Sequence, residues 1–375
     1  MAFRHGHVIG MRYMQWLNAL SLPSPRCTVP PRCVPQRPSV FSRRHFFAST
    51  LAATVPYGAP LRAQPVVEHH FLIGAGPIGG TYFPVAGLIA TAISNPPGGR
   101  PCEAGGNCGV PGLVADALAT QGSVENLRKI ADGSMESGLA QADVALAAYK
   151  GEDAFTGRAL SGLRAMANLF PETVHVVIRR GSGLESIADL RGHTVSLGER
   201  ESGALSISQR LLSAFGVGRR DIDALYLSPQ AASGRLREGT IDAFIMIAGQ
   251  PAPLLSAMAQ QSPIDLLPVP APVVERMRET QPDITETTVA AGLYDGIDAH
   301  PSIAVNAQWL VAERVDPDIV YGSLRALFHP AMRGRLDRGS PSAAAIRVET
   351  ALDGLTVPLH PGATRFYKER GLIKD

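Results

Sequence analysis

No acidic residue precedes Glu68 in this 375-residue chain, whereas its first 63 residues hold eight arginines. That absence excludes a charge-balanced folded domain at the front and marks the segment as a targeting leader. Beyond residue 64 no apolar run approaches the roughly 18–20 residues that a membrane-spanning helix needs, so the processed chain is expected to be soluble. Aromatic residues are few, at 6%. Once the leader is set aside, 27 basic residues face 33 acidic ones, a net charge of about −6. Such a body lacks the basic face that nucleic acid requires. A local site can still oppose the net charge, so an anionic ligand is not excluded. Catalytic motifs are missing as well: there is no G-x-S-x-G elbow, no H-E-x-x-H helix and no G-K-S/T phosphate loop. His69, His70, His175, His193, His300, His329 and His360 are scattered without ligand spacing. No enzyme activity, metal or cofactor is therefore expected.

What is present begins with the leader. Ser42-Arg43-Arg44-His45-Phe46-Phe47 precedes a weakly apolar run from Ala48 to Val55, and Leu61-Arg62-Ala63 offers a cleavage site before Gln64. The paired arginines resemble a twin-arginine export signal, and an ordinary secretory signal is the alternative. Either route delivers the protein to the periplasm. Four cysteines fall as two equally spaced pairs, Cys27/Cys33 in the leader and Cys102/Cys108 in the loop CEAGGNC. Export makes a Cys102–Cys108 disulfide the expected state. No histidine or further cysteine lies near that pair along the chain, which argues against a metal.

Along the processed chain, short apolar runs alternate with helical periodicity, which predicts an α/β architecture. Strands are expected at His69–Ile73, Asp143–Ala147, Leu163–Leu169, His175–Ile178, Thr194–Leu197, Ala224–Leu227 and Ile241–Ile247. Helices are expected at Val85–Ser94, Ser202–Ala214, Pro229–Glu238 and Asp318–Phe328, with another capped by Ser123. Two α/β units with a late return to the first account for the length.

Gly74-Ala75-Gly76-Pro77-Ile78-Gly79 satisfies the dinucleotide fingerprint G-x-G-x-x-G. Its companions are missing, because Pro84 follows closely and no acid stands about 20 residues on, where a ribose would need one. A better reading is an anion nest, in which Gly79-Gly80-Thr81 turns backbone N–H groups toward a ligand at a helix start. Gln121-Gly122-Ser123 and Glu201-Ser202-Gly203-Ala204 repeat the strand–Gly/Ser–helix junction. Three such junctions on two units suggest a cleft between lobes.

The ordered blocks GGTYFPVAGLIA, QGSVENLRKIADG and QADVALAAY resemble the solute-binding proteins of TRAP (tripartite ATP-independent periplasmic) transporters, specifically the TAXI subfamily. LRAMANLFPETVHVVIRRGSGLESIADLRGHTVSLG, SPQAASGRLREGTIDAFIMIAGQPAP and HPGATRFYKERG continue the likeness, which covers residues 68–375. The resemblance implies a two-lobed periplasmic binding protein fold, type II-like, with the ligand cleft between lobes. Residues 1–63 would then be the leader, residues 64–174 with 298–375 the first lobe, and residues 175–297 the second. It implies capture of a small organic anion (a dicarboxylate, 2-oxo acid or acidic amino acid) by a monomer that hands it to a TRAP membrane permease.

By position, the resemblance assigns Gly80, Thr81, Tyr82, Ser123, Glu125, Asn126 and Gln141 of the first lobe to the ligand. From the second lobe it assigns Ser202, Gly203, Ala204, Gln250 and Pro251. The family often has Gly-Ser-Gly-Thr where Glu201–Ala204 stands, so one hydroxyl is missing, and often His or Ala where Gln250 stands. Arg200 beside the loop offers a carboxylate partner in compensation. A nucleotide-dependent oxidoreductase, resting on the glycine fingerprint, and a ligand-binding sensor component are the alternatives.

Overall fold

The computed structural model describes residues 69–374. The segment expected to be an export leader, with its paired arginines, Cys27 and Cys33, lies outside the described residues, as do residues 64–68. The chain opens with β1 (His69–Gly74), α1 (Tyr82–Ile93), the two-residue strands β2 (Ser94–Asn95) and β3 (Val110–Pro111), β4 (Leu113–Leu118), α2 (Ser123–Asp132), β5 (Ser137–Gln141) and α3 (Ala142–Lys150). The long β6 (Leu163–Arg179) leads into β7 (Thr194–Ser196), α4 (Gly203–Ala214), β8 (Asp223–Leu225), α5 (Pro229–Glu238) and β9 (Ala243–Ala248). Next come α6 (Pro253–Gln261), β10 (Ile264–Leu266), α7 (Ala271–Arg278) and β11 (Thr285–Val289). The second long strand, β12 (His300–Ala312), is followed by α8 (Pro317–Leu327), α9 (Pro330–Gly339), α10 (Pro341–Ala344) and α11 (Pro361–Glu369). No helix among the described residues is long and apolar enough to cross a membrane.

One curled mixed sheet runs β4-β1-β5-β12-β6-β9-β7-β8, with β10 added to β6 and β11 to β12. β1 pairs in parallel with β4 and β5, and β7 with β8 and β9, the arrangement expected of helix-connected strands. β6 and β12 run antiparallel to each other from Ala304 opposite Thr173 to Ala312 opposite Leu163. These two strands carry the chain from one lobe to the other and back. Buried residues from Phe71 to Phe170 and from Ala307 to Tyr367 form one core. Those between Val174 and Val305 form two further clusters, one containing Val176 and Ile207, the other Phe244 and Leu255. The fold is thus α/β with two lobes, although the described residues pack as one compact body.

Two expectations change. Asp143–Ala147 is helical, not a strand, and the strand is the preceding Ser137–Gln141. Four alanines favour a helix over Ala142–Lys150, and Gly151 ends it in the left-handed conformation. Leu163–Leu169 and His175–Ile178, expected as separate strands, are one, since β6 continues through Phe170-Pro171-Glu172 between them. Proline removes a donor, but its fixed φ is compatible with an extended strand. Cys102 and Cys108 form a disulfide. His329, remote in sequence, comes within 4.8 Å of the pair, but the sulfurs are bonded to each other and neither is a thiolate available to a metal.

Candidate functional site

Between the lobes lies a cleft with a cavity of about 70 Å³ open to water-sized molecules. The first lobe supplies the loop after β1 through Gly76, Gly80, Thr81 and Tyr82, the start of α2 through Gln121–Ser123, and Gln141 at the end of β5. The second lobe answers with Gly198, Glu199 and the start of α4 through Ser202–Ala204, and the apolar residues Phe244–Ile247 of β9. Glu172, in the middle of β6, also lines it. The amino ends of α1, α2 and α4 therefore meet at one place. Each brings N–H groups without intrahelical partners and a positive partial charge.

Backbone shape makes this convergence possible. Gly122 and Gly198 line the cleft with φ of 124° and 93°, values a residue with a Cβ adopts only under strain. Gly122, not Ser123, caps α2, and the Ser123 hydroxyl instead accepts from the Gln141 amide at 3.1 Å. Gln141 occupies the N-cap position of α3 without capping it, which leaves its side chain to the cleft. Ser202 caps α4, its Oγ accepting from Leu205 N at 3.2 Å and donating to the Glu199 carbonyl at 2.6 Å.

The lobes touch across the cleft. The amides of Val124 and Glu125 donate to the carbonyl of Glu201 at 3.1 and 3.2 Å, and Glu201 N donates to Gln121 Oε1 at 3.3 Å. Thr81 Oγ1 accepts from Gly249 N at 3.2 Å. Farther out, Arg128 pairs with Glu201 and Arg210 with Asp153, while Gln281 Nε2 donates to Asp143 Oδ2 at 3.2 Å.

The electrostatics are one-sided. Glu172 and Glu199 are the charged residue types in the lining, and no Lys, Arg or His joins them there among the described residues. Tyr82 donates its hydroxyl proton to Glu172 Oε2 at 2.6 Å. Burial pushes the Glu172 carboxyl up to about 8, against the pull of that hydrogen bond. Burial, reinforced by Glu172, likewise holds the Tyr82 phenol well above its ordinary value. Burial and then the neighbouring Glu125 raise Glu199. Behind the cleft, burial raises Asp143 to about 6, with Arg210 opposing. Gln141 Oε1 and Glu199 Oε2 are buried acceptors with no hydrogen-bond partner in the protein.

Of the residues singled out from sequence, Gly80, Thr81, Tyr82, Ser123, Gln141, Ser202, Gly203 and Ala204 come together in this lining. Glu125, Asn126, Gln250 and Pro251 are not part of it. Glu125 accepts from Gln121 N at 2.8 Å and pairs with Lys129 at 2.8 Å. Asn126 is fully buried, donating to the carbonyls of Ala75 and Leu139 and accepting from Thr120 Oγ1. Gln250 Nε2 donates to Thr173 Oγ1 at 2.6 Å, next to a cis bond to Pro251. Arg200 stacks over the Tyr226 ring, 4.0 Å from its centroid, and does not line the cleft. Glu172 and Glu199 were not foreseen. Glu172 lay inside a segment expected to break the strand, and nothing separates Glu199 from the other charges of GERE.

Comparison with known proteins adds the following. The model of the NMT1-like family matches residues 73–371. Among solved structures, the chain is similar to MatC of Rhodopseudomonas palustris with bound malate, at 15% identity, covering 82% of this chain and 98% of that one with a TM-score of 0.49. It is also similar to the alkanesulfonate-binding protein SsuA of Xanthomonas axonopodis pv. citri bound to MOPS, at 17% identity over 82% and 96% of the two chains with a TM-score of 0.44. The periplasmic aliphatic sulphonate binding protein SsuA of Escherichia coli gives 14% identity, 81% and 89% coverage and a TM-score of 0.38. All three superpositions are loose.

Proposed function

The chain belongs to the NMT1-like family, and from that premise we propose that it is an exported, periplasmic solute-binding protein that captures a small carboxylate-bearing solute. The observation that carries this reading is the cleft itself, where helix starts from both lobes meet a wall of apolar side chains. Apolar walls with a few convergent polar groups are the usual form of a small-molecule site. Backbone amides at the starts of α1 and α4 suit a carboxylate, and the two lobe-crossing strands β6 and β12 suit a hinge. Ligand closes the lobes only to the extent that it binds the closed form more tightly than the open one. In this reading residues 64–174 with 298–375 move against residues 175–297, as a monomer.

The finer assignment rests on the sequence blocks that resemble TAXI solute-binding proteins. It has the leader export the chain by the twin-arginine route and the closed form dock on a TRAP permease. The test is a thermal-shift panel of dicarboxylates, 2-oxo acids and amino acids, with NAD included. A true ligand at a hundredfold excess over Kd adds about 2.7 kcal/mol of stability. Stabilisation by NAD and by none of the acids would replace this reading with the oxidoreductase one.

A further inference from the structure

Building on the binding role above, we propose that the solute carries a protonated amine beside a single carboxylate, and that Glu199 together with Gln141 receives the amine. The first ground is a count of charge. The first-turn amides of α2 are already taken by the Glu201 carbonyl, and each remaining helix start is equivalent to roughly half a positive charge, so those of α1 and α4 together match about one carboxylate. The lining adds no cationic side chain to this, and it does add the carboxylate of Glu199. A second carboxylate on the ligand would face carboxyl groups with nothing to neutralise it.

The second ground is the set of open hydrogen-bond positions. Gln141 is 4% exposed, and its Oε1 is buried and unpartnered within the cleft lining. Glu199 Oε2 is in the same condition. Both atoms accept and neither donates, so each calls for a donor from the ligand. A 2-oxo acid or a dicarboxylate brings only acceptors, whereas an ammonium group brings three donors and a positive charge. Glu172 does not compete for that group, because it already holds the Tyr82 hydroxyl. Gln141 meets the carboxylate end in space, and Glu199 adjoins it in sequence. Gln141 reaches toward Gly203 at the start of α4, and the Glu199 carbonyl accepts from the Ser202 cap of the same helix. An α-amino acid, whose amine and carboxylate share one carbon, has that spacing.

The test is calorimetric titration of the full processed chain with matched pairs: alanine against pyruvate, leucine against 4-methyl-2-oxopentanoate, and phenylalanine against phenylpyruvate, with succinate alongside. At least one amino acid is expected to bind 100-fold or more tightly than its oxo partner. Glu199→Gln is expected to weaken that amino acid 10-fold or more while leaving the unliganded melting curve in place. Tighter binding of an oxo acid or of succinate overturns the amine assignment and leaves the binding role standing. Equal affinity in Glu199→Gln and wild type overturns the role of Glu199. Silence from every compound in the panel removes the binding role and this assignment together.

Discussion

The hydroxyl of Tyr82 donates to Glu172 Oε2 at 2.6 Å, tying the first turn of α1 to the middle of the lobe-crossing strand β6. The bond sits in the cleft lining, so one buried carboxyl group belongs at once to the lobe-crossing strand and to the cleft.

Stability should carry the imprint of that carboxyl. Its value of about 8 in the fold stands against an ordinary 4.5, so over this interval the folded protein holds a proton that the unfolded chain releases. Stability therefore falls as pH rises from about 4.5 to about 8. Glu172→Gln removes the titration and keeps a partner for Tyr82. Urea denaturation at pH 5.5 and pH 8 should show a loss in wild type that shrinks by about 3 kcal/mol in the variant. Equal losses in both proteins would place the Glu172 proton elsewhere.

Gly203 should not tolerate a side chain. A Cβ there would strike Gln141 Oε1 and come within 2.8 Å of Ser123 Oγ, both from the opposite lobe. Ser123 cannot give way freely, because its hydroxyl accepts from the Gln141 amide. Gly203→Ala should hold the lobes apart, weakening ligand binding 10-fold or more while the unliganded protein melts normally. Small-angle scattering would show the wider form. Undiminished affinity would mean the lobes need not approach this closely to hold the solute.

What local sequence encodes and what it does not can be seen residue by residue. Helix α5 was readable to its ends because Ser228 caps it, Pro229 opens it and Gly239 stops it, all within the segment. The Gly–Ser junctions were readable for the same reason. The continuity of β6 through Pro171 was not, since β12, more than 130 residues away, supplies its neighbour. Glu172 was invisible as a site residue because its partner, Tyr82, lies 90 positions off. The aim of an Arg is equally non-local. Arg200 sits beside the right loop, yet it stacks on Tyr226.

Trp309 is the only tryptophan after residue 63, and it is fully buried in the first lobe's core, with Nε1 donating to Ser137 Oγ at 3.2 Å. Neither residue lines the cleft. Its fluorescence should therefore stay constant on saturation with ligand and change only when the first lobe unfolds. A ligand-dependent shift in emission would show that closure rearranges the core of that lobe.

Two hydroxyls on opposite lobes should fail in different ways. Ser202 Oγ serves its own lobe, capping α4 and bonding the Glu199 carbonyl. Loss of such a cap costs about 1 kcal/mol of stability, so Ser202→Ala should melt earlier whether or not ligand is present. Thr81 Oγ1 instead accepts from Gly249 N across the cleft. Thr81→Ala leaves that buried amide unpaired only when the lobes are closed, a penalty of about 1–3 kcal/mol confined to the closed form. Its unliganded melting should change little if the lobes rest open, while ligand affinity drops about 5- to 100-fold. Thr81→Ser keeps the hydroxyl and should restore most of the affinity. If Thr81→Ala destabilises the free protein as much as it weakens binding, the lobes are already closed without ligand, and Thr81 holds the fold rather than the solute.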